Sequence, residues 1–505
     1  MNIHVFLASL SFPIWIRITH YINLLFLGLL IRSGLQIAGA HPRLYWNDGC
    51  NPKQAWLNLV RKKVPTDRLY TSMDDEVPVP AWLALPGKDN LGLGRHWHFF
   101  SIIFWLANGV IYIVLLFATG EWSRLIPTSW TIFPRAWETF LTYITLHIPP
   151  ASDFRPFDPL QQLAYAAVVF LLAPFMLLTG AAMSPAIEGR FPWYIKLFGG
   201  RQAARSLHFL SMLAFTLFVI VHTALILIVH FQDNIRNIVL GTTGGSVGFA
   251  IAVAVAALCV VALIYVWASW QSLRNRRGVQ HALGLLVDPI RKALLQKAVS
   301  KQRYKQSDLS PYFWVNGRPP ESEEYKALAQ YNFRNWKLEV SGLVAKPAVF
   351  SLEDLRKLPK QTQITKHNCI QGWSGVAEWG GVCLSKILEL VEVWPEAKYA
   401  VFTSYQKGKQ SVKPELREAH EHTFYEVLTM ELVRHPQTIL AYEMNGQPLP
   451  IEHGAPVRLR VETLLGYKMV KYLRSIEFVE DYSQIGEGQG GFREDFQYYG
   501  TSAEI

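Results

Sequence analysis

Cysteine is scarce in this 505-residue sequence, and the four present, Cys50, Cys259, Cys369 and Cys383, form no C-x-x-C pair. That spacing sets aside iron–sulfur and zinc sites. No twin-arginine motif stands near the start. The opening MNIHVFLASLSF lacks both a basic region ahead of it and a small-residue cleavage site after it, so an uncleaved membrane protein is expected. The formal net charge of +10 is not a nucleic-acid signal. Much of it flanks apolar stretches, where the positive-inside rule accounts for it, and no nucleic-acid partner is expected.

Long apolar runs are abundant, and all lie in the first half. They occur near Thr19–Ala40, Trp97–Thr119, Leu160–Ala182, Ser206–Val229 and Ser246–Trp270, each approaching the roughly 20 apolar residues that span a bilayer. Five membrane helices follow. The first is the weakest, since Arg32 lies within it, and Cys259 falls in the fifth. The second half reads as mixed globular sequence, so the chain is multi-domain.

Ionisable side chains inside a membrane are costly and tend to be functional. Four histidines qualify: His20 and His98 near the starts of the first and second helices, and His208 and His222 in the fourth. The last two are fourteen residues apart, about 1400° of helical rotation and so about 40° short of four turns, which puts them on one face about 21 Å apart. One such histidine is as readily a hydrogen-bonded packing residue. Four in this arrangement suit two stacked haems, with His208 paired to His98 towards one surface and His222 to His20 towards the other. His96 lies about 200° round the helix from His98, and His98 is preferred as the deeper of the two. His147 and His230 are expected at the membrane interface.

The stretches RITHYINLLFLGLLIRSG, GRHWHFFSIIFW and RSLHFLSMLAFTLFVIVH resemble the bacterial di-haem cytochrome b subunits of formate dehydrogenases and hydrogenases, over roughly residues 14–232. The resemblance implies two haem b groups, electron exchange with quinone or quinol, and a quinone site near one haem. The segment His41–Gly94 has no counterpart in this reading.

Lys and Arg crowd the loop after the first span (Arg43, Lys53, Arg61, Lys62, Lys63, Arg68), the loop after the third (Arg190, Lys196, Arg201, Arg205) and the stretch after the fifth (Arg274, Arg276, Arg277, Arg291, Lys292). The alternate loops carry only Arg124, Arg135, Arg155 and Arg236. The positive-inside rule therefore puts the C-terminal domain in the cytoplasm, at a bacterial inner membrane. Relatives of the cytochrome part usually begin inside, which with five spans implies the opposite side. The charge count is followed here. Residues 271–310 are basic, and ALGLLVDPIRKALLQKAV has the spacing of a helix lying on the membrane surface or of a solvated tether.

From Pro311 onward, short β-type runs (WKLEVSGLV, YAVFTSY, PVRLRVE, SIEFVED) alternate with short helical ones such as LEDLRKL, which predicts an α+β domain with a mixed sheet. Asn445-Gly446 signals a tight turn. Within the polar stretch TKHNCIQGWSGVAEWGGV, read as turn-rich after the cysteine, Cys369 is the candidate metal ligand, because a thiolate is a soft donor. A lone cysteine is otherwise most often a small buried hydrophobe. Further on, IEHGAPVRLRVETLLGYKMVKYL sets His453, Arg458, Lys468 and Lys471 around turns, a combination suited to phosphate or to a solvated basic strand pair.

Together these segments resemble the sulfite oxidase family of molybdopterin enzymes, including the bacterial methionine sulfoxide reductase catalytic subunits, over about Pro311–Asp481. HNCIQGWS matches the family's cysteine segment and implies Cys369 as the catalytic molybdenum thiolate. AYEMNGQPLPIEHGAPVRL and GYKMVKYLRSIEF imply His453, Arg458, Met469, Val470 and Lys471 around a molybdopterin and its phosphate. FWVNGRPP implies Asn316, and FTSY a further contact at Ser404. Where animal and plant members carry two arginines for an oxyanion, this chain has Val315 and Trp373. An anion loses its bidentate clamps there, which favours a neutral S- or N-oxide beside an aromatic wall. Cys383, where relatives often have proline, is expected to be structural.

The expected organisation is a transmembrane helix bundle at 1–270, a basic amphipathic linker at 271–310, the sulfite oxidase-type molybdopterin domain at 311–482 and a Gly-rich polar tail at 483–505. The expected activity is oxygen-atom transfer by a membrane molybdenum oxidoreductase that exchanges electrons with quinone through two haems. A dehydrogenase feeding quinone, or an electron-transfer cytochrome with a partner-binding domain, are the alternatives. The lipid bilayer and a small oxide substrate are the other expected partners, and oligomerisation is left open.

Overall fold

The computed structural model describes residues 12–60, 62–88, 90–145, 147, 158–242, 244–295, 304–410 and 420–498. They fall into two compact units. The first comprises Met1–Gly34, Trp97–Ala181 and Arg205–Gln271, and the second comprises Leu35–His96, Ala182–Ala204 and Ser272–Ile505.

The first unit is helical. Among the described residues five helices are long and apolar enough to cross a membrane: TM1 (Ile14–Ala40), TM2 (Leu91–Ala118), TM3 (Pro159–Ala182), TM4 (Arg201–Ile228) and TM5 (Val247–Arg274). TM1, TM2 and TM4 begin five or six residues before the apolar runs, because backbone hydrogen bonding continues past the point where the side chains turn polar. TM3 starts with a reciprocal cap, in which Asp158 accepts from the Gln161 N–H and Gln161 returns the bond, with Pro159 in the first helical position. A π-turn at Val168–Leu172 interrupts its middle. Arg32 is accommodated inside TM1 by Ser269 Oγ at 2.6 Å and by the face of Tyr265, 5.6 Å to the ring centroid. TM1 and TM5 approach closely at Gly28, where a Cβ would lie 2.0 Å from the Tyr265 hydroxyl.

The second unit gathers the segments after the first, third and fifth spans. After TM1, β1 (Arg43–Leu44) pairs with β2 (Leu57–Asn58). Arg43 there makes a buried ion pair with Asp75 at 2.9 Å, and Tyr70 donates to the same carboxylate. After TM5 comes a helix at Arg276–Leu295 with Pro289 inside it. The C-terminal strands are β3 (Lys337–Gly342), β4 (Ala348–Ser351), β5 (Lys360–Asn368), β6 (Ser374–Cys383), β7 (Tyr399–Gln410), β8 (His420–Thr429), β9 (Ile439–Met444), β10 (Gln447–Pro448), β11 (Arg458–Arg460) and β12 (Leu473–Val479). They form two five-stranded sheets, one ordered β10-β9-β6-β5 with β11 on β9, the other β4-β3-β12-β7-β8. Among the described residues only the β12–β3 pair is parallel, so the expected mixed sheet is present. Leu338, Phe402, Leu440, Leu459 and Phe478 share one core. At the β9–β10 turn Asn445 and Gly446 both have positive φ, 52° and 72°, the backbone of a two-residue hairpin.

Two expectations need correction. SGVAEWGGVC is strand β6 rather than a run of turns. Its glycines serve close strand contact: a Cβ at Gly381 would meet the Leu440 carbonyl oxygen at 2.2 Å, and the ladder shifts register between Gly380 and Gly381. Nor is the segment from residue 483 a polar tail over its described part. Phe492 and Phe496 are buried with Val401, Tyr425 and Val427, and Gly491 bridges to Glu426 on β8.

Candidate molybdenum and haem sites

Inside the helical unit the four singled-out histidines form two facing pairs. The His20 and His222 ring centroids are 6.3 Å apart, and those of His98 and His208 6.5 Å. Two metal–nitrogen bonds of about 2 Å, added to the distance from each nitrogen to its ring centre, bring a pair of axial imidazoles to about this separation. The Nδ1 side of three rings is already engaged. His98 Nδ1 meets Ser33 Oγ at 3.0 Å, His208 Nδ1 meets the Met176 carbonyl at 3.1 Å and Thr179 Oγ1 at 3.2 Å, and His222 Nδ1 meets the Tyr165 hydroxyl at 3.1 Å. Ser33 and Thr179 spend their own protons on the Leu29 and Phe175 carbonyls, so they accept from imidazole. A ring held at Nδ1 presents Nε2 to a metal. The donor set therefore fits a haem iron at each pair. His96, two residues from His98, turns to the Gly92 carbonyl and to Asp288. His147 meets Thr145 Oγ1, and His230 caps a helix at Phe231–Leu240.

In the second unit Cys369 stands at the turn of the β5–β6 hairpin. Asn368 pairs with Ser374, the Cys369 N–H donates to the Trp373 carbonyl at 3.0 Å, and Gly372 N–H donates back to Cys369 at 3.1 Å. Gly372 has φ +114°, which glycine allows at no steric cost. The sulfur is thereby fixed by backbone rather than by packing alone. Asn316 Nδ2 lies 3.7 Å from it and Gln371 Oε1 3.4 Å. Burial pushes the thiol up to about 12, against opposing contributions from the Gln371 N–H, Arg201 and Arg493. Burial thus favours the neutral thiol, and a coordinated metal is the kind of strong local cation that would convert it to the thiolate.

The segment between TM1 and TM2, for which the sequence suggested no role, walls this sulfur. Tyr45, Cys50 and Tyr70 are buried with Trp314, Trp373 and Cys369 in one cluster. Trp314 Nε1 donates to the Cys50 carbonyl and the Ser72 N–H to the Val315 carbonyl, both at 2.8 Å. Gln371 Nε2 donates to Glu76 at 2.5 Å. From the TM3–TM4 segment, Arg201 donates to Asn368 Oδ1 at 3.1 Å and Gln202 to the Gly372 carbonyl at 2.9 Å. The aromatic content of residues 45–70 was the one sequence signal for this wall.

Around the adjoining strands the charge balance is one-sided. Arg458 is buried, donates to the His453 and Met469 carbonyls, and lies 5.0 Å from the Trp379 ring centroid; Arg460 lies over the same ring at 4.2 Å. Lys471, half-buried, donates to the Glu452 carbonyl at 3.0 Å. Arg460 pairs with Glu462 at 2.8 Å, but Arg458 and Lys471 bond only carbonyls among these contacts. Burial and neighbouring cations pull Arg458 down to about 9, hold Lys471 well below its ordinary value and bring His453 to about 3. Cations crowded closely enough to depress one another favour an anion between them, and a phosphate-bearing pterin fits the set. Met469 and Val470 are buried beside it. Ser404 is not free to turn outward: its hydroxyl donates to the Lys471 carbonyl at 2.6 Å and accepts from Gln406 N–H at 3.0 Å. Lys468 is also diverted, to Glu426 and Glu494 at 2.6 Å each. Among the described residues no group of three or more His, Cys, Asp or Glu could hold a metal ion.

The chain thus carries a helix bundle with facing histidine pairs and a mixed-sheet domain with a buried cysteine at a hairpin turn and a cluster of arginine and lysine side chains. Comparison with known families agrees. Residues 11–241 match the family model for prokaryotic cytochrome b561, and residues 325–485 match that for the oxidoreductase molybdopterin binding domain. Both matched regions lie in this one polypeptide. Over 170 residues it is 34% identical to an Azospira oryzae protein provisionally named protein-methionine-sulfoxide reductase subunit YedZ1, covering 33% of this chain and 56% of that one. The protein-methionine-sulfoxide reductase catalytic subunits MsrP of Campylobacter jejuni and Xanthomonas campestris are 34% and 35% identical over 157 and 156 residues, which is 31% of this chain in each case and 53% and 48% of theirs. The chain thus spans about half the length of the relatives it matches.

Proposed function

We propose that this protein is a membrane oxidoreductase that carries electrons from quinol through two b-type haems to a molybdenum centre on Cys369, where a neutral S-oxide of the methionine sulfoxide type is reduced. The observation that carries this reading is the presence, in one chain, of two histidine pairs at axial-ligand spacing and a backbone-fixed buried thiol beside an unbalanced cation cradle. The names of the relatives support a sulfoxide as substrate. The net reaction takes a sulfoxide, two electrons and two protons to a thioether and water. When bound, the molybdenum cofactor supplies the two-electron oxygen-atom chemistry. The chain's own part is thiolate ligation by Cys369, anchoring of the pterin phosphate by Arg458 and Lys471, and exclusion of water by Tyr45, Trp314 and Trp373. His20 with His222, and His98 with His208, would each hold one haem. The excess of Lys and Arg on the loops that join the second unit favours the cytoplasmic face for this domain.

The test is made on detergent-purified protein reduced with a quinol analogue. Adding methionine sulfoxide is expected to reoxidise the haem absorbance with stoichiometric thioether formation, in protein holding about one molybdenum and two haem irons per chain. Reduction of haem by a thioether or another small donor, with no sulfoxide turnover, would instead establish a dehydrogenase. His208→Leu, which offers no ligand atom, is expected to lower haem iron from two to one per chain and to leave one of two components in a redox titration. An unchanged spectrum would remove His208 from the ligand set.

A further inference from the structure

The positions at which the family resemblance leads one to expect oxyanion-binding arginines are Val315 and Trp373. The fold brings another arginine to that neighbourhood from the end of the chain. The segment carrying it is anchored by Lys468, whose Nζ donates to the Gly490 carbonyl at 2.9 Å and pairs with Glu494 at 2.6 Å, and by the burial of Phe492 and Phe496. Between these anchors, the Arg493 guanidinium lies near the Phe424 and Phe492 rings, 5.8 and 6.0 Å from their centroids. It donates to Gln497 Oε1 and reaches Met73 Sδ at 3.6 Å. Among the described residues it has no carboxylate partner.

Met73 belongs to the short helix Ser72–Asp75, which borders the cysteine turn. The Ser72 carbonyl accepts from Gln371 Nε2 at 3.4 Å, and the Gln371 side-chain oxygen is 3.4 Å from Cys369 Sγ. A second arginine, Arg201, also borders the cysteine turn, through Asn368. Arg201 is buried and spent on the Met183 carbonyl and Asn368, whereas Arg493 is half-exposed. A thioether sulfur is a weak acceptor and leaves most of a guanidinium's donor capacity unused. An S–O oxygen, which carries partial negative charge, is a far better one.

We propose that Arg493 is the substrate-binding residue that holds the oxide oxygen of a neutral sulfoxide at the molybdenum pocket, replacing the arginines absent at positions 315 and 373. The inference rests on the sulfoxide-reductase reading above. It is tested with R493Q and R493K holoenzyme, using methionine sulfoxide as substrate and dimethyl sulfone, a non-reducible analogue, in equilibrium calorimetry. R493Q is expected to raise KM about tenfold to a hundredfold and to weaken sulfone binding in proportion, with kcat within about threefold of wild type. R493K, which keeps the charge and loses the fork, should fall between. Molybdenum content and haem spectra report whether each variant has folded. An active wild type with unchanged KM and sulfone affinity in R493Q overturns the role of Arg493 alone, and so does a loss confined to kcat. A wild type that reduces no sulfoxide overturns the functional reading and this inference together.

Discussion

Cys369→Ser is expected to abolish turnover, by more than about a hundredfold, while both haem signatures remain. The lower bound follows from outer-shell partners of metal ligands, whose loss alone costs about 10- to 100-fold; removal of the ligand itself must cost more. Serine is chosen because its hydroxyl can keep the contacts now made by sulfur to Asn316 and Gln371, and the Cys369 backbone bonds to Trp373 and Gly372 do not involve the side chain. The turn therefore survives, and the variant separates ligation from folding. A serine oxygen is also a hard donor with a far higher pKa than a thiol, so it replaces neither the softness nor the charge of thiolate. The histidine pairs belong to the other compact unit, so the haem absorbance serves as an internal control. The measurement is sulfoxide turnover with an artificial donor, beside molybdenum and haem content. Retained activity would remove Cys369 from the metal.

The parts of the molecule that could be read from sequence are those in which one residue type carries the physics. Five spans are legible because hydrocarbon demands length and apolarity, and the histidines within them are conspicuous because each is expensive there. His208 and His222 declare themselves through helical period alone. The strands β3, β7 and β12 show through their alternation. What stayed hidden depended on distant partners. Gly380 and Gly381 read as turn residues, but their role in β6 is set by how closely β9 approaches. Lys468 looked like a phosphate ligand until the fold gave it Glu426 and Glu494. Arg493 lay in a glycine-rich stretch whose burial no local pattern announces, since Phe492 and Phe496 stand among glycines, charged residues and tyrosines. The wall from residues 41–94 is the largest case. Its Arg43–Asp75 pair spans 32 residues, and its contacts to Gln371 span 295 or more, beyond any window of periodicity.

Lys366→Met is expected to cost about 3–5 kcal/mol of stability in the second unit, the range for stripping the partner from a buried charge. Lys366 is three residues before Cys369 and joins Glu188 at 2.6 Å and Asp48 at 2.9 Å. The side chains of Lys366 and Glu188 are 6% and 7% exposed, whereas Asp48 is 32% exposed, so the cost belongs chiefly to Glu188. Burial alone would lower the Lys366 pKa, but Glu188 and Asp48 outweigh it and hold it above its ordinary value. Asp48, despite burial, is held below the usual carboxylate range by Lys366, the Gln202 N–H and Arg201. The signs follow. A raised lysine contributes stability below its unfolded pKa, about 10.4, and a lowered aspartate contributes it above about 3.9. The wild-type contribution from this cluster is therefore flat between these limits and declines outside them. In Lys366→Met the buried Glu188 carboxylate is left without its cation. Adding Glu188→Gln removes the stranded charge and should recover much of the loss. Thermal unfolding of the full chain at several pH values, followed by tryptophan fluorescence, reads all three variants. A single variant as stable as wild type at pH 7 would show that the cluster is solvated rather than holding the loops after TM1 and TM3 onto the strand that presents Cys369.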